Sequence, residues 1–201
     1  MKRFLSNFFY KIFLVCFIIS IFILFHSETK SESKVLAGVN ELHESLIKIS
    51  NKTINSDNIA LIDDVVKNSY DLEKMGKIII GVDWKQIDTN TQKEFINVFK
   101  RFISVNYFRR FNKINELDFE HQTVKVIGEK FKLARVILTA DNEKLNIDYL
   151  LGFKNEKWKI FDVLIDGSIS EVATKKSDFK KIIKEEGVSG LVKNLRIRNQ
   201  F

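Results

Sequence analysis

The chain has 201 residues, a formal net charge of +7, one cysteine and no proline. That length suits one domain with a core of its own. A lone cysteine excludes an intramolecular disulfide framework and any paired-thiol metal knuckle, so packing alone must hold the fold.

The first stretch reads as a targeting segment. Lys2, Arg3 and Lys11 precede the apolar run Ile12 to Phe25, which only Ser20 interrupts. As a helix this run spans about 21 Å, short of a hydrocarbon core of about 30 Å. A basic start followed by a short apolar run is the pattern of a secretory signal. Residues 1–33 are therefore expected to be a signal peptide, with residues 34–201 as the exported domain; an uncleaved anchor that tethers an adaptor module is the alternative. Cys16 lies inside the apolar run after Val15, which does not fit a lipoprotein site. Removing four basic and two acidic residues with this segment lowers the charge from +7 to +5. Export makes a nucleic-acid partner an improbable reason for the basic balance, which fits a solvated surface or an anionic lipid surface better.

Residues 34–50 carry Val35, Val39, Leu42, Leu46 and Ile49 at helical spacing. After a polar stretch, Asp57 is placed to cap a second helix with Ile59, Ile62, Val65 and Val66 on one face. A third helical segment runs from Tyr70-Asp71 through Met75 to Ile78–Ile80, with Gly81 as its C-cap. The next helix starts at Thr89, whose spacing to Gln92 is that of a capping box. Its stripe is wide and aromatic: Phe95, Phe99, Phe102, Ile103, Tyr107 and Phe108. Such a stripe is either packed core or the wall of a cavity, and periodicity cannot tell the two apart.

Four strands are expected next. Thr123–Ile127 is short, Lys132–Ala140 puts Ala134, Val136, Leu138 and Ala140 on one face, and Leu145–Phe153 alternates Leu145, Ile147, Tyr149, Leu151 and Phe153 against Asn146 and Asp148. The fourth, Lys157 to Ile165, has apolar residues on both faces and stops at the turn pair Asp166-Gly167. Short connections predict an antiparallel meander. Two helices close the chain, near 178–186 and 189–199, parted by Gly187; Lys175-Lys176 and Lys180-Lys181 flank the start of the first. The expected fold class is α+β, a four-stranded antiparallel sheet covered by helices.

Catalytic chemistry is sparse. His43 and His121 have no metal-ligand spacing to other donors, and phosphate-loop, dinucleotide-loop and nucleophile-elbow patterns are absent. Asp148 and Asp162 lie on neighbouring strands and could pair as acid and base, but carboxylates on a solvated face or bonded to loop amides are the plainer reading.

Several stretches resemble the MlaC family, also called the toluene-tolerance auxiliary family. They are Tyr70-Asp71-Leu72-Glu73-Lys74-Met75-Gly76 with Gly81 and Trp84; Thr89, Gln92, Phe95 and Phe99 ending in Tyr107; Trp158 to Val163 with Asp166-Gly167; and Phe179, Ile182, Ile183, Gly187, Leu191 and Leu195. Their order spans residues 35–197. The chain departs from the family pattern at Lys175-Lys176-Ser177, where an Arg is usual, and at Ser168-Ile169-Ser170. The resemblance implies an NTF2/cystatin-like carrier in the periplasm that holds phospholipid, without a cofactor, in an apolar cavity between helices and sheet. The implied partners are an outer-membrane lipoprotein/porin complex and an inner-membrane ABC transporter with an MCE-type ring; the implied role is to maintain outer-membrane lipid asymmetry. On this reading the lipid contacts are Val66, Tyr70, Met75, Phe95, Phe99, Phe102, Ile103, Tyr107, Val136, Leu138, Ile147, Tyr149 and Leu151. A small enzyme on the same scaffold, using Asp148, Asp162 or His121, is the competing reading.

Overall fold

The computed structural model describes residues 32–200. The expected signal peptide falls almost wholly outside them. Among the described residues, no helix is long and apolar enough to cross a membrane. Residues from Leu36 onward form one compact unit.

Helix α1 covers residues 32–49. Its stripe Leu36, Val39, Leu42, Leu46 and Ile49 is buried, as the spacing requires. Helix α2, Ser56–Ser69, is capped by Asn55, whose side chain accepts from the Asn58 amide at 2.8 Å; Asp57 sits in the first turn instead of capping it. Tyr70 breaks the run with extended backbone and bridges Ile160 of the sheet, and the Asp71 amide donates to the Ile160 carbonyl at 2.8 Å. Asp71 then caps α3, Leu72–Ile80, which ends at Gly81 with φ 72°. A short 3₁₀ turn, Gly81–Lys85, buries Trp84.

Helix α4, Thr89–Phe111, starts one residue earlier than a Thr89 cap implies. Asp88 accepts from the amides of Asn90 and Thr91 at 2.9 and 3.0 Å. A carboxylate is the stronger acceptor for these orphan amides. The Gln92 side chain instead donates to the Trp84 carbonyl at 2.8 Å, joining the helix to the preceding turn.

The sheet is an antiparallel meander in the order β1-β2-β3-β4-β5. Its strands are β1 Leu117–Ile127, β2 Phe131–Ala140, β3 Glu143–Lys154, β4 Lys157–Ile165 and β5 Ile169–Ser170. The expected four strands are therefore five. Asp166 and Gly167 take φ of 50° and 70°, which folds the chain back so that Ile169 and Ser170 pair with the end of β4. Strand β1 begins six residues before the expected Thr123, with a register shift between His121 and Thr123.

A second register shift changes the faces of β4. Leu151 pairs with Ile160 and Leu150 with Asp162, so Phe161 is the extra residue. Strict alternation would place Ile160 and Val163 on opposite faces. The bulge instead lets Ile160, Val163 and Ile165 stand opposite Leu151, Tyr149 and Ile147. Phe161 turns outward and, with Phe131, brackets the Lys74 ammonium at 3.4 and 3.9 Å from the ring centroids. Trp158, at the tip of the β3–β4 hairpin, is only half-buried against Phe153.

The last helix, α5, Glu171–Arg198, also starts earlier than expected. Ser170 caps the Ala173 amide at 2.9 Å, and the Asp162 carboxylate accepts from the Val172 amide at 3.1 Å and the Ser170 hydroxyl at 2.6 Å. Lys175-Lys176 therefore lie inside the helix. Gly187, with φ 70°, breaks it into two segments, as its position between two apolar patterns implies.

Candidate functional site

The helices leave an apolar cavity of about 200 Å³ against one face of the sheet. Its walls come from the second half of α4 (Phe99, Phe102, Ile103, Tyr107, Phe111), from Leu138, Ile147 and Tyr149 of β2 and β3, and from Val163 and Ile165 of β4. Met75, Leu46 and Val172 contribute from the other helices, and Tyr70 from the junction between α2 and α3. The volume lies below the roughly 300–1,000 Å³ common for ligand sites. Rings pack closely behind its helical wall: Phe95 stacks on Phe99 at 5.3 Å, Phe99 on Phe102 at 6.4 Å, and Phe102 meets Phe179 edge-on at 5.9 Å.

Nine of the thirteen candidate lipid contacts line this cavity: Tyr70, Met75, Phe99, Phe102, Ile103, Tyr107, Leu138, Ile147 and Tyr149. The other four are buried elsewhere. Phe95 packs against the edge of Trp84 at 6.2 Å. Gly76 permits this approach, since a Cβ there would lie 2.9 Å from Trp84 and 3.1 Å from Phe95. Val66 lies on α2, one turn before the Tyr70 bridge. Leu151 pairs with Ile160, where the α2–α3 junction is pinned to the sheet. Val136 lies under α1: the His43 ring stacks on Phe119 of β1 at 3.9 Å and bonds Tyr149 of β3, so it crosses β2 at the level of Val136.

Sequence reasoning missed the polar rim. Arg110, Glu171, Lys175 and Asn106 border the cavity, with Arg110 and Glu171 paired at 3.4 Å. Arg110 follows Tyr107 by three residues and so shares its helix face, a signal that the spacing carried. Glu171 and Lys175 were hidden by the late start assigned to α5. Leu145, Val163 and Ile165 continue the alternation of strands already identified.

Tyrosine hydroxyls form the polar part of the interior. Those of Tyr70 and Tyr107 share a hydrogen bond, and Tyr149 bonds His43 Nε2 at 2.9 Å. Burial pushes all three phenols up in pKa, Tyr107 to about 12, so they stay neutral. Burial, helped by His121, pushes His43 down to about 3, and it too is neutral at ordinary pH.

The carboxylates considered for catalysis are committed elsewhere. Asp148 accepts two bonds from Arg135 at 2.7 and 2.6 Å, and Asp162 ties down the start of α5. They do not face each other, because Asp148 pairs with Leu164 and Asp162 with Leu150. Among the described residues, no group of three or more His, Cys, Asp or Glu could hold a metal ion.

The MlaC protein family model matches residues 39–197, most of the chain. The chain belongs to the MlaC family. No curated protein sequence matches it. Among solved structures it is similar to a phospholipid-binding protein from Ralstonia solanacearum in complex with a phospholipid, with 20% identity, a TM-score of 0.68, and coverage of 83% of this chain and 97% of that one. At that identity the likeness shows a shared fold. MlaC membership points to a binding protein rather than an enzyme.

Proposed function

We propose that this chain is a periplasmic phospholipid carrier. On this reading the acyl chains enter the cavity between α4 and the sheet, and the head group stays at the rim near Arg110 and Lys175. The observation that carries the proposal is the apolar cavity itself, in a chain of a family whose fold holds a phospholipid in the Ralstonia solanacearum structure. Two chains of about 15 methylenes represent roughly 24 kcal/mol of apolar transfer, at about 0.8 kcal/mol per methylene. A lipid crossing an aqueous space needs an enclosure of this kind. Residues 1–33 act as the signal peptide, and residues 34–201 form the NTF2/cystatin-like carrier. It shuttles lipid between an outer-membrane lipoprotein/porin complex and an inner-membrane ABC transporter with an MCE-type ring, in support of lipid asymmetry. Whole acyl chains exceed the volume described, so rotamers of Phe99, Phe102 and Ile103 must turn to admit them.

Native mass spectrometry of the protein purified from cells tests this reading. The expected result is a mass increment that fragments to phospholipid. Protein that carries no lipid, and takes none up from vesicles, refutes it.

A further inference from the structure

The cavity wall contains more hydrogen-bond donors than the protein uses. Tyr70, Tyr107 and Tyr149 all line it, and Tyr107 lies near enough to Tyr149 to raise its pKa. Each phenol has one proton. In the Tyr70–Tyr107 bond one proton is shared, and the hydroxyl that accepts keeps its own with no other protein partner among the described residues.

The second free proton follows from the tautomer of His43. Its Nδ1 is buried without a hydrogen-bond partner among the described residues, and Nε2 faces the Tyr149 hydroxyl. If Tyr149 donated to Nε2, the ring proton would sit on Nδ1 as a buried donor without an acceptor. With the proton on Nε2, the ring donates to Tyr149 and leaves only a bare lone pair at Nδ1, the less costly defect. Stacking on Phe119 at 3.9 Å and 6° holds the ring in place. The Tyr149 proton is then free to turn toward the cavity.

We infer that Tyr149 and the Tyr70–Tyr107 pair form a two-donor subsite for the acyl ester carbonyls of a diacyl lipid. The inference rests on the phospholipid reading and adds which atoms of the lipid are recognised. Neutral carbonyls fit because they accept hydrogen bonds and bring no protons. A phosphate fits poorly: buried among neutral phenols and apolar walls it would lose far more hydration than two hydroxyls restore. The phosphate belongs at the solvated rim, where Arg110 and Lys175 are found.

The test gives the purified protein vesicles with equal amounts of diacyl- and di-O-alkyl-phosphatidylethanolamine of matched chain length. Mass spectrometry then counts the two lipids extracted. The ether lipid keeps the head group and both chains but has no carbonyl. A hydrogen bond of ordinary strength favours the ester form by roughly fivefold per carbonyl engaged. Tyr149→Phe should lower the ratio by about that factor. In the other pair, Tyr107→Phe alone should keep the wild-type ratio, because Tyr70 then offers its own proton; the double variant Tyr70→Phe/Tyr107→Phe should lower it by about the same factor as Tyr149→Phe. A wild-type ratio near one overturns the inference without recourse to any variant, as does an unchanged ratio in folded Tyr149→Phe and in the double variant. Uptake of neither lipid means that the phospholipid reading itself has failed, and the inference falls with it.

Discussion

Two tryptophan substitutions on one strand separate packed core from cavity. Val136 and Leu138 are neighbours on the same face of β2, and both are buried. Leu138 lines the cavity and Val136 does not. Val136→Trp must force its ring against the His43–Phe119 layer, where there is no space to fill. Overpacking of this kind costs about 1–3 kcal/mol. For a domain of this size each kcal/mol lowers Tm by roughly 2–4 °C, so Tm should fall by about 2–12 °C. Leu138→Trp can put its ring into the roughly 200 Å³ beside it. With space for the added ring, its cost should stay under about 1.5 kcal/mol, the range of exchanges that do not overpack a core. Its bound phospholipid should drop, because the ring occupies ligand volume. Thermal melts and lipid phosphorus per mole of protein, measured on the same preparations, decide the matter. Equal destabilisation by both substitutions would show that Leu138 faces packed core. A stable Leu138→Trp protein with a full lipid load would show that the chains lie elsewhere.

Gly76→Ala places a methyl 2.9 Å from Trp84 and 3.1 Å from Phe95, so it should destabilise by about 1–3 kcal/mol; an unchanged melt would mean that those rings can move aside. Asp162→Ala frees the Val172 amide and the Ser170 hydroxyl at the start of α5, and urea unfolding should register a loss of about 1–3 kcal/mol. His43 adds a pH dependence whose sign follows from its depressed pKa: the folded protein binds fewer protons than the unfolded chain, so stability is full above about pH 6.5 and falls toward about pH 3. The loss is on the order of a few kcal/mol, and in His43→Leu the stability–pH curve should be flatter across that window; a curve of wild-type shape would mean that His43 is not buried neutral.

What could be read from the sequence, and what could not, follows from which residues face water. Leu145, Ile147 and Tyr149 alternate with exposed Asn146 and ion-paired Asp148, so β3 was legible. Strand β1 was legible only from Thr123 because Asp118, Glu120, His121 and Gln122 leave Leu117 and Phe119 as the large apolar residues of its first half, too few to show an alternation. The first turns of α5 escaped for the same reason: Lys175, Lys176 and Asp178 are solvated, and the features that start the helix, Ser170 and Asp162, come from a turn and a neighbouring strand. A bulge such as that at Phe161 has no local signature in a strand with apolar residues on both faces. Nor do the bonds of Tyr70 to Tyr107 and of His43 to Tyr149, which join positions 37 and 106 residues apart.

The aromatic stripe of α4 divides into two parts for a reason that the side chains themselves supply. Its first half meets Trp84 across the gap that Gly76 leaves, and Phe95 has only carbon to bury. Its second half meets Tyr70 and Tyr149 through Tyr107, and each of these rings carries a hydroxyl. If this region were only core, phenylalanine would serve at least as well, since replacing both partners of a buried hydrogen bond with apolar groups of the same shape is nearly neutral or stabilising. A hydroxyl buried beside a cavity, with a proton left over after the acceptors of the described residues are counted, suits a ligand that enters the cavity with an acceptor of its own. The placement of phenol rather than phenyl around one end of the stripe therefore marks the part of it that faces a ligand, which its helical periodicity could not.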